Sequence, residues 1–218
     1  MQKIGRKGFT LAEVLMTLGL VGVIAVVTMT TVIPTIQDAQ NKTEFVSVYS
    51  DLTQVTTKIL MDNGGSLKEI FTSANIFRDK FAQHLNTIKS CDNGQNEGNC
   101  WHNIGSFYWS NGVPYEVGYW GVPSGIILNN GTLLSFRLNS SSCSTNTPGW
   151  NPLPSVCGYL ITDVNGFKGP NTFGRDIYFI WVQEKGLMPF GANDGFVNRC
   201  TSSDGSGCAA KVLKGEDY

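Results

Sequence analysis

The first 62 residues carry two hydrophobic patterns in succession. Residues 14–37 run for 24 positions without a formal charge, which is long enough to cross a hydrocarbon core of about 30 Å. Beyond Pro34, apolar residues recur at helical spacing: Phe45, Val48, Tyr49, Leu52, Val55, Ile59 and Leu60. The two patterns predict one helix over about residues 9–62, apolar all round in its first half and on one face in its second.

A second amphipathic helix is predicted over about residues 67–90, after the stop signal Asn63-Gly64-Gly65. Ser66 and Glu69 form a capping-box pattern at its start. Its buried stripe would consist of Leu67, Ile70, Phe71, Phe77, Phe81, Leu85 and Ile88. His84 lies beside this stripe without sequence partners, so we interpret it as a helix-surface or packing residue rather than a ligand.

From about residue 104 the pattern becomes typical of β-strands. The strongest signal is a hairpin in which Ile126-Ile127-Leu128 and residues 132–138 flank the turn Asn129-Asn130-Gly131. Residues 156–162, residues 176–183 and a short segment at 107–109 are further predicted strands. The chain is therefore predicted to be an α+β protein, with the second half of the long helix packed on an antiparallel sheet that is buried on one face.

The charges at the N-terminus predict how the apolar segment is oriented. Residues 1–8 carry Lys3, Arg6 and Lys7 and no acid, and positive residues favour the cytoplasmic side of a membrane, so the bulk of the chain is predicted to lie outside. A secretory signal peptide has its small-residue cleavage site after the apolar segment. Here Gly8 precedes that segment, so a cut after Gly8 would leave the hydrophobic helix on the mature protein.

Glu13 is the ionisable residue at the head of the apolar run. A charged group in a membrane costs about 2.5–3.5 kcal/mol at the centre and less near an end, so a partner is expected. A cut between Gly8 and Phe9 would create an amine about 6 Å from Glu13 along a helix. Three interpretations are open at this point: a pair within one chain, a pair between neighbouring subunits, and a carboxylate hydrated at the headgroup level.

The segment Lys7-Gly8-Phe9-Thr10-Leu11-Ala12-Glu13-Val14-Leu15 resembles the prepilin processing and methylation motif of type IV pilins and type II secretion pseudopilins. The resemblance implies that Gly8 is the cleavage residue, Phe9 the methylated terminus and Glu13 the docking carboxylate. It also implies three kinds of partner: identical or related pilin subunits in a helical filament, a prepilin peptidase, and an assembly platform with its ATPase. One departure is Pro34, which lies further along the helix than the family's usual helix-kinking proline.

The resemblance implies a leader peptide at residues 1–8, a transmembrane and filament-core helix at 9–36 and an exported pilin-like domain at 37–218. The protein would cross the bacterial cytoplasmic membrane once and then enter a pilus or pseudopilus. An enzyme is not expected, because the sequence lacks Gly-x-Ser-x-Gly, His-Glu-x-x-His and P-loop motifs. The basic residues are scattered, so a nucleic-acid partner is not expected either.

Six cysteines lie in the predicted exported part: Cys91, Cys100, Cys143, Cys157, Cys200 and Cys208. An even number in an oxidising compartment indicates disulfides, for which 15 pairings exist. We predict the local pairs 91–100, 143–157 and 200–208, because each encloses a segment rich in Gly, Asn and Ser. A zinc site is the alternative, but no CxxC occurs and His102 is the histidine nearest to a cysteine.

The densest polar segment spans residues 163–176 and contains four candidate calcium ligands: Asp163, Asn165, Asn171 and Asp176. It is not an EF-hand, because Phe167 and Gly174 stand where that loop needs oxygen ligands. Major pseudopilins carry a calcium site between late strands, so the resemblance implies Ca²⁺ here, and no other cofactor is expected. The alternative is an Asx-rich turn whose side chains bond backbone amides, with Lys168 and Arg175 neutralising the carboxylates.

The tryptophans suggest a different function. Aromatic residues at strand spacing usually lie in the core, but Trp101 and Trp150 fall in the cysteine-rich segments and are predicted to be the more exposed ones. They would allow a membrane-tethered, monomeric binding protein or adhesin with a lectin-like domain. This alternative needs no role for Glu13 in assembly, whereas a filament subunit does.

Overall fold

The computed structural model describes residues 8–116, 123–146, 153–196, 198–202, 204–216 and 218. These residues divide into two compact units, one ending at Gln40 and one running from Asn41 to Tyr218. The predicted long helix is confirmed as α1 (Leu11–Val27), a π-helical segment (Thr28–Val32) and α2 (Ile33–Asp62). It begins two residues later than predicted because Thr10 caps it, and it ends at the predicted residue.

The π-helical segment directly precedes Pro34. There the Ile33 N–H donates to the carbonyl of Thr28, five residues back, which is the spacing of a π-bulge. Proline has no N–H to donate to the helix. One turn earlier, the side chain of Thr30 donates to the carbonyl of Val26 at 3.0 Å. The helix therefore continues through Pro34 by a local change of hydrogen-bond spacing.

The larger unit contains one antiparallel sheet whose six strands lie side by side in chain order. They are β1 (Thr87–Cys91), β2 (Ser124–Leu128), β3 (Leu133–Leu138), β4 (Val156–Asp163), β5 (Ile177–Gln183) and β6 (Gly186–Pro189). The β2–β3 hairpin and strands β4 and β5 confirm the prediction closely, whereas β6 was not predicted. The predicted strand at residues 107–109 is reduced to two isolated bridges, from Tyr108 to Pro114 and from Tyr108 to Thr172.

The predicted second helix is wrong over most of its length. Helix α3 spans only Ala74–Ala82, and Ser73, not Ser66, caps it. The Leu67 N–H donates to the carbonyl of Glu184 and the Glu69 N–H to that of Ser141, so this segment is tied to distant loops. Residues 87–91 join the sheet as β1. Tertiary hydrogen bonds here override local helical spacing.

The sheet is buried on both faces, not on one as predicted. One face packs against α2 through the predicted stripe, in which Phe45 stacks on Tyr178 with ring centroids 4.1 Å apart. The opposite face holds a second, aromatic-rich core, which includes Trp181 and Phe179. Segments outside the sheet cover this second core, and every residue of β4 is buried as a result.

Two short helices near the C-terminus, α4 (Arg199–Ser202) and α5 (Cys208–Lys214), complete the described elements. Three disulfides join Cys91 to Cys100, Cys143 to Cys157 and Cys200 to Cys208. They are the local pairs that the sequence predicts. The first lies directly before Trp101 and His102, and the second ties a loop to β4.

Candidate functional site

The predicted processing residues Gly8 and Phe9 lie directly before α1. The Phe9 side chain is 88% exposed, and a side chain placed at Gly8 would meet nothing within 4 Å. Residues 1–7 of the predicted leader lie outside the described part of the chain. Both residues of the predicted cleavage site are therefore exposed in the described chain.

Glu13 closes a capping box with Thr10 at the N-terminus of α1. Glu13 Oε2 accepts hydrogen bonds from the Thr10 N–H at 2.9 Å and from the Thr10 hydroxyl at 3.0 Å. The Thr10 hydroxyl oxygen in turn accepts from the Glu13 N–H at 3.3 Å. The intrachain partner of the Glu13 carboxylate is therefore the N-cap threonine. Both hydrogen bonds that the carboxylate accepts within the described chain go to Oε2.

Helix α1 presents apolar side chains on every side. Each of its residues is at least partly exposed, and Leu11 and Met16 are both 78% exposed. The helix that begins at Leu11 is the one described helix that is long and apolar enough to cross a membrane, by length and composition alone. Exposed apolar area of this kind is unfavourable in water.

The loop between β4 and β5 brings the four predicted calcium ligands together. Asp163 ends β4, Asp176 directly precedes β5, and both side chains are fully buried. Asp176 accepts hydrogen bonds from the Thr172 N–H at 2.6 Å, the Asn171 N–H at 2.8 Å and the Asn165 side-chain amide at 3.2 Å. The backbone-capping hydrogen bonds of the predicted Asx-rich alternative are therefore present.

Hydrogen bonding within the described residues leaves two buried oxygens of this loop without a partner, Asn165 Oδ1 and Asn171 Oδ1. A buried acceptor without a partner costs about 1–3 kcal/mol. Carboxylate, amide and carbonyl oxygens in a flexible loop are the ligands that Ca²⁺ takes, six to eight at a time. Among the described residues, no group of three or more His, Cys, Asp or Glu side chains is placed to hold a metal ion.

The two buried carboxylates influence each other. Burial raises the pKa of Asp163 well above its usual value, and the nearby Asp176 carboxylate raises it further. Burial also raises the pKa of Asp176, against the hydrogen bonds that lower it. Two like charges in a buried site disfavour joint ionisation, so a cation bound between them would relieve an unfavourable arrangement.

His102 is a site residue that the sequence did not predict. Its Nε2 lies 2.8 Å from Asp163 Oδ2, and the two side chains are 4% and 0% exposed. Burial lowers the pKa of His102 to about 4, which favours the neutral imidazole. His84, by contrast, is exposed after the end of α3.

The predicted exposure of Trp101 is wrong. Its side chain is fully buried in the second core, with its ring edge-on to His102. The Cys91–Cys100 disulfide closes a loop whose residues 92–95 and 97–99 are exposed, and Trp101 directly after this loop turns into the core. Trp109 is partly buried against the same core, and Trp120 and Trp150 lie outside the described residues. Trp101 therefore offers no exposed surface for a sugar.

Comparisons of the chain with models of protein families, with curated proteins and with solved structures found no match. Two features of the chain itself therefore carry the functional argument. One is the segment from Gly8 to Glu13 at the head of an exposed apolar helix, and the other is the oxygen-rich loop between β4 and β5.

Proposed function

We propose that the chain is a structural subunit, a pilin or pseudopilin, of a type IV pilus or a type II secretion pseudopilus. The observation that carries the proposal is the capping box of Glu13 and Thr10 at the head of a helix whose apolar side chains are all at least partly exposed. The sequence around Gly8 that resembles the prepilin motif supports it. Before assembly, α1 would anchor the subunit in the bacterial cytoplasmic membrane.

Lipid would cover α1 before assembly, and the helices of neighbouring subunits would cover it afterwards. Lipid tails are as apolar as leucine side chains, so the hydrophobic effect gives little preference for one over the other. Specificity must then come from packing and from polar contacts, and Glu13 is the carboxylate in this part of the sequence. A contact that repeats head to tail without closing a ring produces an open helical filament.

Processing would change the surroundings of Glu13. Hydrolysis of the Gly8–Phe9 peptide bond by a prepilin peptidase leaves a carboxylate on Gly8 and an amine on Phe9. The new amine lies one residue before Thr10, which already donates two hydrogen bonds to Glu13 Oε2. The second carboxylate oxygen can accept from the amine of a neighbouring subunit while the capping box stays in place. Such a contact would fix the axial stagger of adjacent subunits.

The exchange Glu13→Gln tests this proposal in cells that carry the assembly machinery. Glutamine also forms capping boxes, so this variant keeps the helix start and removes only the charge. We expect it to reach the membrane in normal amounts and to yield no filaments in electron micrographs of the sheared surface fraction. Asp51→Asn, which removes an exposed carboxylate of α2, is the matched control and should assemble normally. Wild-type numbers of filaments from Glu13→Gln would refute the proposal.

The same variants distinguish the filament subunit from a tethered monomeric binding protein. For a tethered monomer, crosslinking between cysteines engineered on either side of Glu13 would detect single chains in living cells. For a filament subunit it would detect a ladder of multimers, and the Glu13→Gln exchange would abolish that ladder. Mass spectrometry of the mature protein adds an independent measurement, because the proposal requires a methylated Phe9 at the terminus.

A further inference from the structure

A cleft of about 220 Å³ lies in the larger unit between α2, the segment after α3 and the β2–β3 turn. Hydrogen bonds join these three walls to one another. The Asn129 N–H of the turn donates to the Asn86 carbonyl of the segment after α3, at 2.9 Å. The Asn130 side chain of the turn donates to the Glu44 carboxylate of α2, at 3.0 Å. The shape of the cleft is therefore fixed by the fold itself.

Four residues with polar side chains line this cleft: Lys58, His84, Asn86 and Asn129. All four are exposed, and within the described residues none of their side chains takes part in a hydrogen bond or an ion pair. Lys58 carries three ammonium donors, a neutral imidazole has one N–H, and each amide group has two. The lining of the cleft therefore offers a ligand several donors that the protein does not use for its own fold.

The size and polarity of the cleft restrict the class of ligand. Pockets for drug-sized molecules measure about 300–1,000 Å³ and are mostly apolar, whereas this cleft is smaller and its lining is mostly polar. Amide groups both donate and accept, as hydroxyl groups do, so they suit a ligand rich in hydroxyls. Val55 and Leu128 also line the cleft and are only 4% and 8% exposed. They would contact the C–H groups of a single sugar ring.

We propose that this cleft binds a sugar acid, one ring that carries a single carboxylate. Lys58 and His84 donate to the carboxylate, because hydrogen bonds to a charged acceptor are the strong ones, and the amides of Asn86 and Asn129 bind ring hydroxyls. Asp51 also lines the cleft, seven residues before Lys58 or about 10 Å along the axis of α2. Its negative charge disfavours a more highly charged anion, so a sugar phosphate binds less well than a sugar carboxylate.

The carboxylate has two sources with the same chemistry, a free sugar acid and one unit of an acidic polysaccharide. The exposed side chains of the cleft are compatible with either source, and the test below compares them. Neither the Glu13 contact nor a filament is needed for this binding. Failure of the proposal would therefore leave the proposed function standing, and a subunit that does not assemble should still bind the sugar acid.

The test is a saturation-transfer NMR titration of the full-length protein in micelles of a detergent that contains no sugar. The probes are glucuronate, glucose and glucose phosphate, and we expect glucuronate to bind most tightly. Lys58→Met should raise the Kd for glucuronate about tenfold, because it removes a charged donor, and Lys58→Arg should restore most of the affinity. Lys214→Met is the matched control. It removes an exposed lysine of α5 that does not line the cleft and should bind glucuronate like the wild type.

His84→Ala is the second variant at the same cleft and should also weaken glucuronate binding, with an unchanged Tm as evidence that the fold is intact. Oligogalacturonate distinguishes the two sources: tighter binding than the single sugar supports an acidic polysaccharide, and equal or weaker binding supports a free sugar acid. Three results would overturn the proposal: no saturation transfer to glucuronate, a Kd for glucose or glucose phosphate as low as that for glucuronate, or an unchanged Kd in Lys58→Met.

Discussion

The imidazole of His102 and the carboxylate of Asp163 lie 2.8 Å apart across 61 residues of sequence. Asp163 Oδ1 accepts from the Asn165 N–H at 3.2 Å, so the carboxylate is held from two sides. The ring of Phe167 lies edge-on to the imidazole, with centroids 5.3 Å apart. The geometry of the β4–β5 loop therefore depends on a histidine that follows the Cys91–Cys100 disulfide.

Replacing His102 with alanine should destabilise the domain by about 1–3 kcal/mol, because it leaves a buried carboxylate oxygen without its partner. Urea unfolding of the full-length protein in micelles, followed by tryptophan fluorescence, measures the change. His84→Ala is the matched control. His84 is exposed, so its removal should change the free energy of unfolding by less than about 0.5 kcal/mol. Equal effects of the two exchanges would contradict a structural role for the His102–Asp163 pair.

Asp163→Asn should separate the contribution of charge from that of hydrogen bonding. The asparagine oxygen can still accept from the Asn165 N–H, and its nitrogen can donate to a neutral His102. In EDTA we expect stability equal to or above that of the wild type, because a buried carboxylate that repels Asp176 has been removed.

In calcium, the wild type should be more stable than the Asp163→Asn variant. At a calcium concentration 100 times Kd, the wild type should gain about 2.7 kcal/mol, or about 5–10 °C in Tm for a domain of this size. The Asp163→Asn variant should gain much less. Thermal melts of both proteins in CaCl₂ and in EDTA give the four Tm values that this comparison needs. A wild-type Tm that is the same in both solutions would show that the loop is an Asx-rich turn without a metal.

Local patterns predicted those parts of the fold that are held by local interactions. The apolar run and the stripe around Phe45 predicted the long helix, and Asn129-Asn130-Gly131 predicted the hairpin, since both signals lie within a few residues of sequence. The segment around Leu67 was assigned incorrectly because its helical spacing competes with backbone hydrogen bonds to Glu184 and Ser141. Those partners lie far away in sequence, and no local pattern indicates them.

The candidate calcium site was predicted in part for the same reason. Four of its residues lie within 14 positions in the sequence, and the loop brings them together. His102 reaches the site from a segment 61 residues away, and no local pattern in the sequence links it to Asp163.

The Cys143–Cys157 disulfide should contribute strongly to the stability of the domain. Both residues are buried in the core that faces α2, and the bond closes a loop with a sequence separation of 14. Exchange of both cysteines for alanine should lower the free energy of unfolding by about 3 kcal/mol, mainly because the unfolded chain gains conformational entropy. Urea unfolding without reductant measures this cost. A loss below about 0.5 kcal/mol would mean that the loop is held by its packing alone.

The packing of α2 on the sheet can be tested at two adjacent residues. Phe45 is fully buried against Tyr178, whereas the side chain of Val46 is 45% exposed. Phe45→Ala should cost about 3–5 kcal/mol, because it removes a ring from a closed core and leaves a cavity. Val46→Ala should cost less than about 0.5 kcal/mol, because the residue lies at the surface. Urea unfolding of both variants gives the comparison. Similar costs at the two positions would mean that α2 does not present the Phe45 face to the sheet in solution.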